Sequence, residues 1–303
     1  MMYYLKHLID YWRQNMKQII EKGILLVSCP DREGIVAAVS NFLFSNGANI
    51  VHSDQHSTDP VEGHFFMRIE FSHQNLSEVL PTLEEAFAVT AAPFSMDWSI
   101  TLASRKARLA IFATKEDHCL QELIWRWQLG ELHAEIAMVI SNHPDFKELT
   151  ENAGIPFYHV PVTKETKVSA TETHLQLLKE QNIDTVILAR YMQIIPGDII
   201  HLFQNEVINI HHSFLPAFIG GSPYQQAFDR GVKLIGATAH YVNEQLDEGP
   251  IIEQDITRIT HRYNVADLKR HGKDIERIVL YRAVKWHLEK RVIVHGNKTI
   301  VFQ

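Results

Sequence analysis

The chain has 303 residues, enough for two ordinary domains. With 46% hydrophobic and 21% charged residues, it has the composition of a soluble globular protein able to bury sizeable cores. Its 29 basic and 36 acidic residues give a net charge of −7, which argues against nucleic-acid binding by phosphate neutralisation but permits a small anionic ligand held by a local patch. The two cysteines, Cys29 and Cys119, stand far apart without a C-x-x-C spacing, so a disulfide framework is not expected and a reducing cytoplasm is the default compartment. No apolar run reaches the roughly 18 residues of a membrane span. Lys6, His7 and Asp10 interrupt any secretory pattern at the N-terminus.

Residues 1–20 read as an accessory helix, with Leu5, Leu8, Ile9, Trp12, Met16, Ile19 and Ile20 forming one apolar stripe at helical spacing. The stripe suits packing on its own domain or on a neighbouring subunit; Met16 as the natural start is the alternative. Residues 21–102 carry the next domain. Gly23–Ser28, Ala48–Ser57, His64–Phe71 and Phe94–Leu102 read as strands. A helix follows Gly34 with Ile35, Val39, Phe42 and Leu43 on one face, and Leu76–Phe87 is a second helix. The order βαββαβ predicts a ferredoxin-like sandwich. The turn Cys29-Pro30-Asp31-Arg32-Glu33-Gly34, followed by Gly47-Ala48-Asn49-Ile50, resembles an ACT domain over about 80 residues. That resemblance implies a regulatory or dimerising module, with an amino-acid effector (glycine or methionine) near Asp31, Arg32, Gly34, Asn49 and Ile50.

Residues 103–107 read as a linker and 108–303 as a second domain. Strands are expected at Arg108–Ala113, Ala134–Ile140, Phe157–Val160, Thr185–Ala189, Glu206–Ile210, Lys233–Val242 and Ile251–Ile256. Helices alternate with them at Asp117–Leu129, Asp145–Ala153 and Thr173–Gln181, and Val265–Glu289 is a long final helix before a hairpin turn at His295-Gly296-Asn297-Lys298. Such alternation predicts an α/β fold with a mostly parallel, doubly wound sheet and helices on both faces. Ligands in these sheets bind beyond the carboxyl ends of the strands. The first βα turn, Thr114-Lys115-Glu116-Asp117-His118, contains no glycine and two acids. A dinucleotide or phosphate cradle is therefore not expected there, and Thr114 and Asp117 read as helix caps.

Two segments carry the chemistry. Asn209-Ile210-His211-His212-Ser213-Phe214-Leu215-Pro216 is followed by Leu246-Asp247-Glu248-Gly249-Pro250-Ile251-Ile252, with Asp247 lying 36 residues after His211. Each residue alone is ordinary: Asn209 suits a turn, His211 a structural histidine and Asp247 a turn acid. Together they supply a carboxamide to donate to an oxyanion, an imidazole to move protons and a carboxylate to orient one or the other. Eighteen histidines raise the question of a metal, but no H-E-x-x-H or Cys/His cluster is present, and no metal or other cofactor is expected.

The two segments resemble the catalytic signature of folate-dependent formyltransferase-like enzymes. The doubled His211-His212 is most similar to one branch, the formyltetrahydrofolate deformylases; amine-accepting members usually have Pro after the catalytic His. The resemblance runs from about Gly23 to Gln303. It implies hydrolysis of 10-formyltetrahydrofolate to formate and tetrahydrofolate, which balances one-carbon folates and supplies formate for purine synthesis. Asn209 and protonated His211 would stabilise the tetrahedral oxygen. Asp247 would hold the water or set the charge state of His211, and His211 or a relayed water would protonate N10. Arg190, Tyr191, Met192, Gln193 and Ile194 resemble the pterin-binding strand end. His212 is open between positioning water or restricting the acceptor and a hydrogen bond within its loop. His240 is open between a structural and a functional role, and Tyr224, after Gly220-Gly221-Ser222-Pro223, packs in the site or starts a helix. A homo-oligomer is implied by analogy. Two rivals remain: a formyltransferase to an amine, and a sensing protein with a silent hydrolase domain.

Overall fold

The structure, a computed structural model, describes residues 19–59, 62–217 and 222–303. The expected N-terminal helix as far as residue 18, with Met16, the turn at Pro60 and the Gly220-Gly221 segment fall outside the described residues; at its expected end the helix is corrected, since Ile20 opens a strand. The chain divides into two compact units, with the change at Arg105 and Lys106.

In the first unit, β1 (Ile20–Pro30), α1 (Ile35–Ser45), β2 (Asn49–Ser57), β3 (His64–Gln74), α2 (Leu76–Ala91) and β4 (Asp97–Leu102) follow the expected βαββαβ order. The sheet order is β2-β3-β1-β4. Strands β1–β3, β1–β4 and β2–β3 pair antiparallel, as in a ferredoxin-like sandwich. Strand alternation puts Leu25, Val27 and Cys29 of β1 and Met67, Ile69 and Phe71 of β3 on one face, where Val39 and Leu43 of α1 and Leu83 and Phe87 of α2 close the core.

The second unit is built on a seven-stranded sheet. Its strands are β5 (Ala107–Ala113), β6 (Ala134–Ser141), β7 (Phe157–His159), β8 (Thr185–Ala189), β9 (Val207–His211), β10 (Leu234–Tyr241) and β11 (Ile251–Arg258), in the order β11-β10-β9-β8-β5-β6-β7. Pairing is parallel from β7 through β9. Strand β10 runs antiparallel to both β9 and β11. The helices are α3 (His118–Gln128), α4 (Lys147–Asn152), α5 (Lys167–Glu180), α6 (Gly197–Leu202), α7 (Pro223–Arg230) and α8 (Val265–Leu288). A closing hairpin, β12 (Val292–His295) with β13 (Lys298–Val301), turns at the expected place.

Period-two alternation in these buried strands splits the core. Ile111, Ile187, Ile208 and Ile210 meet Leu123 of α3 and Val279, Leu280 and Ala283 of α8 on one face. Phe112, Val186, Leu188 and Val207 meet Leu178 of α5 and Ile199 of α6 on the other. This is the doubly wound arrangement the sequence predicts. Helix α8 is the central strut, and its start is fixed by a capping box in which the Asn264 side chain accepts from the Asp267 N–H and the Asp267 carboxylate accepts from the Asn264 N–H. The expected caps on α3 differ. Asp117 stands at the N-cap position but makes no side-chain cap bond, its carboxylate accepting from the Gln121 side chain, and Thr114 is not the cap: its Oγ1 accepts from the Met192 N–H at 3.0 Å.

Candidate functional site

Strands β8 and β9 are parallel neighbours, so their carboxyl ends emerge side by side. Asn209 and His211 lie on alternate positions of β9 and share the face that carries Leu188. On antiparallel β10, His240 stands directly opposite Asn209. The loop after β10 folds back with Asp247 in the left-handed region at φ 58°. Gly249 makes that return possible, because a Cβ there would lie 1.8 Å from the carbonyl oxygen of Tyr241. Together these elements wall a cavity of about 400 Å³, within the usual range for a small-molecule site.

His211 Nδ1 lies 3.2 Å from Asp247 Oδ2, and His240 Nε2 lies 3.7 Å from Asp247 Oδ1. The hydrogen bond from His211 holds the Asp247 carboxyl well below the usual carboxylate range, so it is ionised at neutral pH. His240 Nδ1 faces the Tyr241 carbonyl at 2.9 Å and must donate to it. In the neutral ring Nε2 is then an acceptor, 3.2 Å from Asn209 Nδ2. One amide hydrogen of Asn209 is thereby anchored and the other is left for a ligand. His211 Nε2 is buried and has no partner among the described residues. The arrangement offers an oriented amide donor, an imidazole with one nitrogen on a carboxylate and the other unused, and a fixed negative charge behind it.

Of the expected substrate residues, Arg190, Tyr191, Met192, Gln193, Ile194, His212 and His240 line this cavity with the three central groups. Met192 and Ile194 stay largely exposed and make an apolar rim. Tyr191 is buried, and burial pushes its phenol up to about 12, so it is neutral. Tyr224 does not reach the cavity wall. It is buried behind His212, and its hydroxyl donates to Glu276.

Sequence reading missed Glu276, 1% exposed on α8, which also accepts from His118 Nε2 at 2.7 Å and stands 3.3 Å from Arg190 Nε. Burial raises this carboxyl, but the His118 hydrogen bond and the Arg190 charge outweigh it and leave it below the ordinary range. The signal was present: Glu276 falls on the apolar stripe with Gly272, Ile275, Val279 and Ala283. His118, Cys119 and Glu276 offer donor atoms within 4.8 Å of one another. Their chemistry suits an ion-pair network better than a cation site, because Arg190 already shares the carboxylate and burial pushes the Cys119 thiol up.

The five residues expected to hold an effector are not gathered in one place. Asp31 accepts from the Ser57 hydroxyl, and Arg32 donates to the Pro93 carbonyl with its guanidinium 4.6 Å above the Phe94 ring. Asn49 instead borders a groove with Gly47, His73, Asn75 and Glu78.

Known proteins resemble this chain along both of its units. Residues 107–284 match the formyl transferase family, and residues 23–88 match the ACT domain family. The chain is 56% identical over 299 residues to the formyltetrahydrofolate deformylase of Bacillus subtilis (strain 168), covering 99% of each. It is 50% identical over 278 residues to that of Synechocystis sp. (strain ATCC 27184 / PCC 6803 / Kazusa), covering 92% of this chain and 97% of the relative. The crystal structure of a formyltetrahydrofolate deformylase from Pseudomonas syringae pv. tomato str. DC3000 is similar with a TM-score of 0.89 and 46% identity, covering 99% of this chain and all of that one.

Proposed function

The chain belongs to the formyltetrahydrofolate deformylase family, and on that premise we propose that it hydrolyses 10-formyltetrahydrofolate to formate and tetrahydrofolate with Asn209, His211 and Asp247 as its catalytic residues. The observation that carries the residue roles is the unpartnered, buried Nε2 of His211, with Nδ1 of the same ring on an ionised carboxylate and the Asn209 amide alongside. Water adds to the formyl carbon while His211 Nε2 takes its proton. The carbonyl electron pair moves onto oxygen, where the free N–H of Asn209 and the newly formed imidazolium stabilise it. Asp247 holds that imidazolium in place. As the carbon–nitrogen bond breaks, His211 returns the proton to N10. The pterin edge is read by the backbone at Arg190–Ile194, and Met192 and Ile194 supply apolar contact. In the cell this reaction would balance one-carbon folates and supply formate for purine synthesis.

Purified protein incubated with 10-formyltetrahydrofolate and no amine should release formate and tetrahydrofolate in equal amounts. Release only on addition of an amine would identify a transferase instead, and no turnover by folded protein would favour the sensing role. The absence of glycine from Thr101 to Leu129 supports water over a phosphorylated amine as acceptor. We further infer that the first unit binds an amino-acid effector, glycine or methionine, within a homo-oligomer in the cytoplasm. Titration calorimetry with both amino acids tests it; no heat with either would leave that unit an assembly device.

A further inference from the structure

His212 is backed by buried charges that the reaction above does not use. Arg190 leaves β8 in the left-handed region at φ 60°, which turns its side chain inward; it is 12% exposed. Its Nη1 meets His212 Nδ1, and its Nε stands 3.3 Å from Glu276 Oε2. Glu276 is held in turn by His118 Nε2 and the Tyr224 hydroxyl. Gly272, one turn before Glu276, admits that hydroxyl, since a Cβ there would lie 1.9 Å from Tyr224 Oη. Glu276, His118 and Tyr224 together brace the guanidinium from behind.

A guanidinium has donors and no acceptor. The His212 Nδ1 that meets it must therefore carry a lone pair, and the proton of the neutral ring must sit on Nε2. His211 has the opposite arrangement, with Nδ1–H on Asp247 and Nε2 open. Both rings line the cavity, with centroids 5.3 Å apart. The pair thus combines one nitrogen that can take a proton with one N–H that can give a hydrogen bond.

We propose that Arg190, braced by Glu276, is a positioning residue that fixes His212 as a neutral Nε2–H donor to the oxygen of the attacking water. This rests on the hydrolytic reading above. A water attacking carbon must lose a proton to one side and be oriented from another; His211 does the first and His212 the second. The cation also disfavours a protonated amine at the same wall. Among the described residues, the titratable groups that face His212 are Arg190 after β8, His211 on β9, Tyr224 on α7, Glu276 on α8 and Asp247 after β10. Burial, then the Arg190 charge, lower the ring to about 4, so its donor state persists across neutral pH.

The test is nitrogen NMR of the full chain labelled in histidine, together with kinetics. Wild-type His212 should show a bare Nδ1 and a protonated Nε2, without titrating between about pH 5.5 and 8. In Arg190→Met the ring should mix tautomers and titrate toward its ordinary range. Its kcat should fall about 10- to 100-fold, the range of a lost oriented donor, with KM for the folate little changed and activity newly lost on the acid side of neutrality. Arg190→Lys, which keeps a donor, should recover part of kcat. A wild-type His212 protonated on Nδ1 would overturn the proposal whether or not any variant folds. So would an Arg190→Met enzyme with unchanged tautomer and pH profile. If the protein hydrolyses no 10-formyltetrahydrofolate, the hydrolytic reading fails separately, and the tautomer measurement still decides whether Arg190 fixes the ring.

Discussion

Replacing Asp247 by Asn isolates the charge behind His211. The side chain keeps its size, and Asn tolerates the left-handed backbone at φ 58°, whereas Ala there would add strain of its own. The wild-type carboxylate lies 3.2 Å from His211 Nδ1. Opposite charges at that distance attract by about 1 kcal/mol in bulk water and about 5 kcal/mol at an effective dielectric near 20. Asp247 is 13% and His211 7% exposed, so the site lies toward the second limit. Asn retains a hydrogen bond to the ring, which returns part of the loss, and about 3–4 kcal/mol of imidazolium stabilisation should disappear. That is about 10²- to 10³-fold in kcat. KM should change little, because Asp247 acts on the charge that develops after binding. The assay is initial-rate release of tetrahydrofolate, with the thermal midpoint as a folding control. A variant of native stability with kcat within about threefold of wild type would refute the role given to the carboxylate.

Three further changes are informative. Asn209→Asp puts an acceptor and a charge where the oxyanion forms and should lower kcat by at least about 10²-fold; wild-type hydrolysis rates would sink that assignment. Gly249→Ala must push the Asp247 loop away from the Tyr241 carbonyl, costing about 1–3 kcal/mol and lowering kcat as well; an unchanged thermal midpoint and kcat would show that the close approach is not needed. His174 is buried edge-on to Phe112, and burial lowers it to about 4. Its folded value lies below its unfolded one, so stability is intact above about pH 6.5 and is lost as pH falls toward 4, by about 3 kcal/mol. His174→Leu should flatten the fall in unfolding free energy between pH 7 and 4.5; an unaltered slope would contradict it.

The order of elements was open to reading because buried strands such as Thr185–Ala189 are wholly apolar and the intervening helices carry 3.6-residue stripes. Helix α6 escaped notice because six residues between Pro196 and Phe203 are too few to show a period. In the site, Asn209, His211 and Asp247 were singled out because their two segments resemble a family signature, and the residues from Arg190 to Ile194 because they resemble its pterin-binding strand end; all of them line the one cavity. Glu276 and His118 were not singled out, since they lie 158 residues apart and only the folded chain brings them together beside Arg190. Thr114 was misread for a related reason. Its position before a helix suits a cap, but a tertiary partner, the Met192 N–H, takes the hydroxyl instead. Local propensity ranks such alternatives; it does not know which strand end will stand alongside.

The antiparallel strand β10 explains why Asp247, the proposed catalytic acid, lies in a loop after the strand next to His211. A parallel β10 would carry its following loop beyond the same edge as His211, where Arg190–Ile194 already emerge. Running the other way, β10 instead sets His240 against Asn209 in register and sends the chain back across the face of β9. Two consequences follow from one reversal. The amide of Asn209 is oriented by a ring whose own tautomer is fixed by a backbone carbonyl, and Asp247 meets His211 while Arg190, paired with Glu276, meets His212. The two histidines therefore answer to different neighbours. His211 shares a hydrogen bond with an ionised carboxylate, and His212 meets a guanidinium that opposes its gaining a proton. Adjacent rings of identical chemistry are set apart by the charge that stands behind each, which a doubled histidine in the sequence does not reveal.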